Sequence, residues 1–126
     1  MRAAGPTGHG SRFISGTAVS KLMGVVEKAL AFRREQEEAL GWGAACGEGG
    51  GGCSHASARK LGDVTTLNVT MLKAGVSVDG GRTYALNVVP TEAEAGFDVR
   101  ISPQLATADF KATLDEWCAG EGLSWR

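Results

Sequence analysis

Residues 84–102 read YALNVVPTEAEAGFDVRIS. From position 93 to 101 every odd residue is apolar: Ala93, Ala95, Phe97, Val99 and Ile101. The even positions carry Glu92, Glu94, Gly96, Asp98 and Arg100. A strict period of two predicts a strand with one face buried and the other wet. The wet face collects the polar groups, Arg100 among them. Asn87 stands just upstream, ahead of Val88-Val89-Pro90. Proline cannot donate a ladder hydrogen bond, so Pro90 should end one strand segment and bend the chain before the next.

Outward from that stretch, residues 64–73 alternate again. Leu67, Val69 and Met71 are expected on one side, and Thr66, Asn68 and Thr70 on the other. Between the two runs, Asp79-Gly80-Gly81 reads as a hairpin turn, and residues 84–89 as a returning strand segment carrying Asn87. Two helices flank this β region. In residues 17–40, Val19, Leu22, Met23, Val26 and Leu30 fall at i, i+3, i+4, i+7 and i+11, the stripe of an amphipathic helix. Thr17 is a candidate cap, and Gly41 a candidate stop. The polar run from Arg33 to Glu38 reads as a solvated end. In residues 107–119, Phe110, Leu114, Trp117 and Cys118 share one face, and Thr107 is the expected cap.

Leu123-Ser124-Trp125-Arg126 begins one more strand, and a stub of strand is expected before His9. The order is then βαββαβ. This predicts an α+β, ferredoxin-like two-layer sandwich, with an antiparallel sheet, two helices on one face and truncated terminal strands.

The chain has 126 residues, enough for one domain, with 43% hydrophobic and 6% aromatic content. A net charge of −1 gives no electrostatic reason to expect nucleic acid or an anionic membrane as partner. The wet strand face offers Glu92, Glu94 and Asp98 in place of the aromatics of an RNA-recognition sheet. No apolar run reaches the roughly 18 residues that a membrane span needs. MRAAGPTGHG lacks the apolar core of a secretory signal. Three cysteines, an odd number with no compact framework, point to free thiols in a reducing, cytoplasmic setting.

Of 19 glycines, five fall in the GEGGGG segment, within a linker over residues 41–60. That segment lacks the Lys-Ser/Thr ending of a phosphate loop. Cys46, Cys53, His55 and Cys118 fit no closed zinc site by spacing. Near the start, His9 lies between Gly8 and Gly10; it is either incidental on a flexible arm or a donor or base on a tight loop.

Five segments together carry a family resemblance: TGHGSRF, LAFRREQ, DVTTLNVTMLKAG, NVVPTEAEAGFDVRISP and DFKATLDEWC. In this order the chain resembles the aminoacylase-1 group, and more broadly the zinc peptidases and amidohydrolases that include carboxypeptidase G. The match is to their inserted lid, or dimerisation, domain, taken as a single domain over residues 1–126. The resemblance implies a homodimer through the lid, with zinc and a general base in a separate catalytic domain of the same protein, missing here. It also implies an N-acyl-L-amino acid substrate, cleaved to a carboxylate and an amino acid. His9 would then stabilise the oxyanion in trans, Asn87 would bind substrate, and Arg100 would pair with the α-carboxylate. With two histidines and no His-x-Asp motif, this chain alone should hold no zinc and should not hydrolyse anything. The alternative is a free-standing ferredoxin-like small-molecule-binding or regulatory module, since such folds host many functions.

Overall fold

The computed structural model describes residues 1–40 and 60–126. The elements are β1 (Arg2–Ala4), β2 (Gly8–His9), α1 (Ala18–Ala39), β3 (Thr66–Ala74), β4 (Val88–Val89), β5 (Glu92–Arg100), α2 (Thr107–Trp117) and β6 (Leu123–Ser124). Four strands form an antiparallel sheet in the order β3-β5-β1-β6. This α+β arrangement is consistent with the expected ferredoxin-like two-layer sandwich. A second, two-stranded ribbon joins β2 to β4. The proposed linker over residues 41–60, and Gly41, Cys46, Cys53 and His55 with it, lies outside the described residues except for Lys60.

The alternation of residues 93–101 holds through β5. Ala93 and Ala95 are buried against the helical layer, while Glu92, Asp98 and Arg100 are exposed. Small residues at this seat let α1 come close: Ala3, Ala18, Leu22, Val26, Ala93 and Ala95 form one core cluster. Gly5 lies at the same contact. A Cβ there would stand 2.5 Å from the Ala18 backbone nitrogen, so the exit from β1 can pass the helix only as glycine.

The helix starts where expected. Thr17 is extended at φ −62° and ψ 152°, and its Oγ1 accepts the Ser20 amide at 3.2 Å. Its buried face differs from the expected stripe. Ala18, Leu22, Val25, Val26 and Ala29 point inward, whereas Val19 and Met23 are 37% and 46% exposed. The polar end is also less solvated than its composition predicts. Gln36 Oε1 accepts the Thr65 amide at 3.0 Å, and Leu40 is buried. Thr65 Oγ1 in turn accepts the Ser102 amide at 3.1 Å. That short polar chain ties the end of α1 to the entry of β3 and the exit of β5. Arg33 and Glu37 pair at 2.8 Å across one helical turn, an exposed i,i+4 bridge worth about 0.3–0.5 kcal/mol.

The second helix docks through aromatics. Trp117 is 5.7 Å from Phe32 and 6.4 Å from Phe110, both near edge-on, and Phe32 is 5.9 Å from Phe110. Phe32 of α1 thus meets α2 together with Val25 and Ala29, which share a core cluster with Trp117. The N-cap position is Ala106, not Thr107, and it makes no side-chain cap. Asp109 in the first turn supplies negative charge at the positive end of the helix instead. Cys118, half-buried beside this cluster, has its thiol pKa raised by desolvation.

In β3 the register breaks. Leu67 pairs with Val99 and Val69 with Phe97, but the next pair is Met71 with Gly96, leaving Thr70 as a bulge. One extra residue inverts the side-chain parity beyond it. Leu72, opposite the buried Ala95, therefore sits on the helix-facing side, and Met71 moves to the wet face. The expectation of Leu67, Val69 and Met71 on one side fails at Met71 for this reason. Gly96 makes room for the displaced side chain: a Cβ there would lie 3.1 Å from Met71 Cβ.

The expected tight hairpin at Asp79-Gly80-Gly81 is a longer loop. The Asp79 carboxylate organises it, accepting the Thr83 hydroxyl at 2.6 Å, the Thr83 amide at 2.9 Å, the Ser77 hydroxyl at 2.7 Å and the Arg82 amide at 3.0 Å. These donors, Thr83 first, hold its pKa well below the usual carboxylate range. Strand structure between residues 84 and 89 is confined to Val88–Val89.

Candidate functional site

His9 is not on a loose arm. Gly8 and His9 pair antiparallel with Val89 and Val88. The ribbon is extended by the Gly10 amide, which donates to Asn87 O at 2.8 Å, and by the Thr7 hydroxyl, which donates to Val89 O at 2.7 Å. The Arg12 amide donates to His9 O at 3.0 Å, turning the chain directly after the strand. At Gly8 a Cβ would stand 2.5 Å from Ile14 Cδ1, while the backbone of Asn87 packs beside Gly10 at about 3.5 Å from where a Cβ would be. Two residues far apart in sequence, His9 and Asn87, are thereby neighbours on one exposed ribbon.

The turn after His9 also fixes its ring. Nδ1 lies 2.8 Å from Ser11 Oγ and receives the Ser11 backbone amide at 3.3 Å. A backbone N–H only donates, so Nδ1 is an acceptor, and the neutral ring carries its proton on Nε2. The other ring nitrogen is then a donor facing away from the turn. Flanking this polar pair are two large apolar side chains left almost wholly in water: Phe13 at 110% and Leu86 at 96% relative exposure.

Arg100 is elsewhere. It is exposed at the last position of β5, opposite Thr66 of the edge strand. The ribbon leaves the sheet at the other end of β5, through Pro90 and Thr91, whose carbonyl accepts the Gly5 amide at 3.0 Å. Eight residue steps from Glu92 to Arg100 at about 3.4 Å each separate the two ends by roughly 27 Å. The wet face between them carries Arg2, which pairs with Glu92 at 3.1 Å and with Glu94 at 3.5 Å. The structure therefore brings His9 and Asn87 together and holds Arg100 apart from both. Sequence reading missed Ser11 as the partner of His9, although a hydroxyl two residues after a histidine at a glycine-flanked turn is a signal for such a contact.

A cleft of about 540 Å³ lies away from the ribbon, lined in part by Phe97, Val99, Phe110, Leu114 and Trp125. It contains none of the three candidate residues. Among the described residues, no group of three or more His, Cys, Asp or Glu side chains is placed to hold a metal ion. The described residues thus do not fit a zinc centre. No described helix is long and apolar enough to cross a membrane.

An antiparallel four-stranded sheet under two helices, with one long strand left at an edge, is a fold suited to joining copies of itself. The chain belongs to the peptidase dimerisation domain family, which it matches over residues 1–126. Its relatives are aminoacylases. It is 49% identical over 126 residues to aminoacylase-1 of Dictyostelium discoideum, covering 100% of this chain and 28% of that protein. To aminoacylase-1 of Sus scrofa it is 37% identical over 127 residues, covering 99% and 26%. To that of Homo sapiens it is 35% identical over 126 residues, covering 98% and 26%. The chain therefore spans about a quarter of the length of these curated relatives, and what it matches in them is the dimerisation domain.

Proposed function

We propose that this chain is the dimerisation, or lid, domain of an aminoacylase-like zinc amidohydrolase that cleaves N-acyl-L-amino acids. Residues 1–126 form one such domain, with residues 41–60 as an inserted linker. The zinc and the general base belong to a catalytic portion outside this chain. Two copies pair through the outer edge of β3, whose unpaired backbone groups template a second strand. A reducing, cytoplasmic setting belongs to the same reading.

His9 donates from Nε2 to the oxyanion that forms when the amide carbonyl is attacked, and Asn87 binds substrate beside it, both in the partner's centre. Arg100 pairs with a substrate α-carboxylate. A guanidinium fork suits that planar acceptor.

The observation that carries this reading is the ribbon itself, which places the His9 ring beside Asn87 with Nδ1 held by the Ser11 amide. The test is His9→Ala in the polypeptide that joins this domain to its catalytic portion. Turnover of N-acetyl amino acids should fall about 10²–10³-fold, the loss seen when one preorganised oxyanion donor is removed. Zinc content should not change. Undiminished turnover refutes the role of His9.

A further inference from the structure

We infer that Ser11 is a positioning residue: it holds the His9 ring in the Nε2–H tautomer and aims that proton out of the ribbon. The inference rests on the reading of His9 as an oxyanion donor, but its first test does not.

Two groups of Ser11 converge on one nitrogen. The backbone amide reaches Nδ1 at 3.3 Å and the hydroxyl lies 2.8 Å from it. The amide can only donate, which makes Nδ1 the acceptor; the hydroxyl then rotates to donate as well. The backbone contact alone is long for a hydrogen bond, whereas 2.8 Å is an ordinary length for one from a hydroxyl. The hydroxyl is thus the stronger of the two restraints. The turn closed by the Arg12 amide on His9 O, at 3.0 Å, keeps Ser11 over the ring. His9 is exposed and has no packed wall to fix its rotation. Without Ser11 Oγ, the ring would sample both tautomers and several orientations. A donor that must meet a developing charge loses its advantage when it has to be reoriented first. In other catalytic histidines, the second ring nitrogen is likewise fixed by the hydrogen bond that the first one makes.

The test begins with ¹⁵N shifts of the His9 ring at a pH where it is neutral. In the wild-type chain Nδ1 should show the shift of an unprotonated acceptor, and Nε2 that of an N–H. In Ser11→Ala the two shifts should move toward each other, as expected for a mixed population, and Ser11→Thr, which keeps the hydroxyl, should restore them. Ser11→Asp presents an acceptor to Nδ1 and should draw the proton onto it. Equal tautomer shifts in wild type and Ser11→Ala would overturn the inference, as would a wild-type ring protonated on Nδ1.

The second test is turnover in the joined polypeptide. Ser11→Ala should lower kcat about tenfold with KM little changed. Ser11→Thr should recover most of it, and Ser11→Asp should approach His9→Ala. Full activity in Ser11→Ala while His9→Ala is crippled would overturn the positioning role and leave the role of His9 standing. Full activity in both would overturn the two together.

Discussion

Leu72 is the residue on which self-association should depend most visibly. The bulge at Thr70 places it on the helix-facing side of the edge strand β3, where it remains 58% exposed, and no inner strand covers that side of it. Val19 and Met23, the apolar residues of α1 that face away from the core, are also partly exposed, at 37% and 46%. Burying a leucine completely is worth about 1.5–3 kcal/mol, so covering the exposed 58% is worth roughly 0.9–1.7 kcal/mol per copy. A two-fold interface buries both copies, for roughly 1.7–3.5 kcal/mol. At about 1.4 kcal/mol per decade, Leu72→Ser should weaken the dimer roughly twenty- to three-hundredfold. Sedimentation velocity over a concentration series, with wild type alongside, measures this directly. The thermal midpoint of the monomer should hardly move, because the side chain is already mostly in water. In the joined polypeptide, turnover per subunit should fall on dilution at correspondingly higher concentrations. An unchanged dimer constant with an intact fold would refute the assignment of this edge as the interface.

Trp117→Ala should destabilise the domain by about 3–5 kcal/mol in urea denaturation, since it removes the ring that locks α2 onto Phe32 and onto the core of Val25, Ala29 and Leu67; a loss under about 1 kcal/mol would show that α2 is anchored otherwise. The Asp79 carboxyl titrates lower when folded than the unfolded value of about 3.9, so its stabilisation of the loop is fully present above that pH and is lost progressively as pH falls from there through the lower folded value. Hydrogen exchange at the Arg82 and Thr83 amides should therefore exceed the intrinsic acid trend only well below about pH 4, as the folded carboxyl takes its proton, and Asp79→Ala should show the same loosening at neutral pH; protection unchanged in the variant would count against this account.

What the sequence made legible was what a single period encodes. The alternation from Ala93 to Ile101 decided β5 because each odd position is apolar and each even one is not, and no residue interrupts it. The helix was legible in extent, through Thr17, but not in phase. Val19 and Met23 outweigh Ala18 and Ala29 on any hydropathy scale, yet the helix approaches Ala3, Ala93 and Ala95 so closely that small residues take the seat. The true buried face is turned by roughly 70° from the apparent one, less than one residue step of 100°. The bulge left no trace in the pattern because Met71 and Leu72 are both apolar, and either register satisfies the alternation. The ribbon was illegible for a different reason. Two strands of two residues each carry no period at all, and their pairing joins positions about eighty residues apart. His9, Asn87 and Arg100 could be named from resemblance, but their separation could not.

That separation has a consequence for how such a domain works. If all three residues acted on one substrate from one protomer, β5 would have to bring its two ends together, and a nine-residue strand in a four-stranded sheet is among the stiffest spacers a small domain has. A hinge in the ribbon cannot close the gap either, because β2 and β4 are tethered to the sheet by Gly5 on one side and Thr91 on the other, joined by their own hydrogen bond at 3.0 Å. The sheet therefore acts as a ruler. It holds the ribbon at a fixed offset from Arg100, and on the proposed pairing of two copies along the β3 edge a two-fold axis would repeat that offset in the partner. On the proposed reading the dimer is part of the chemistry, since each centre would be completed by the His9–Asn87 ribbon of the other copy.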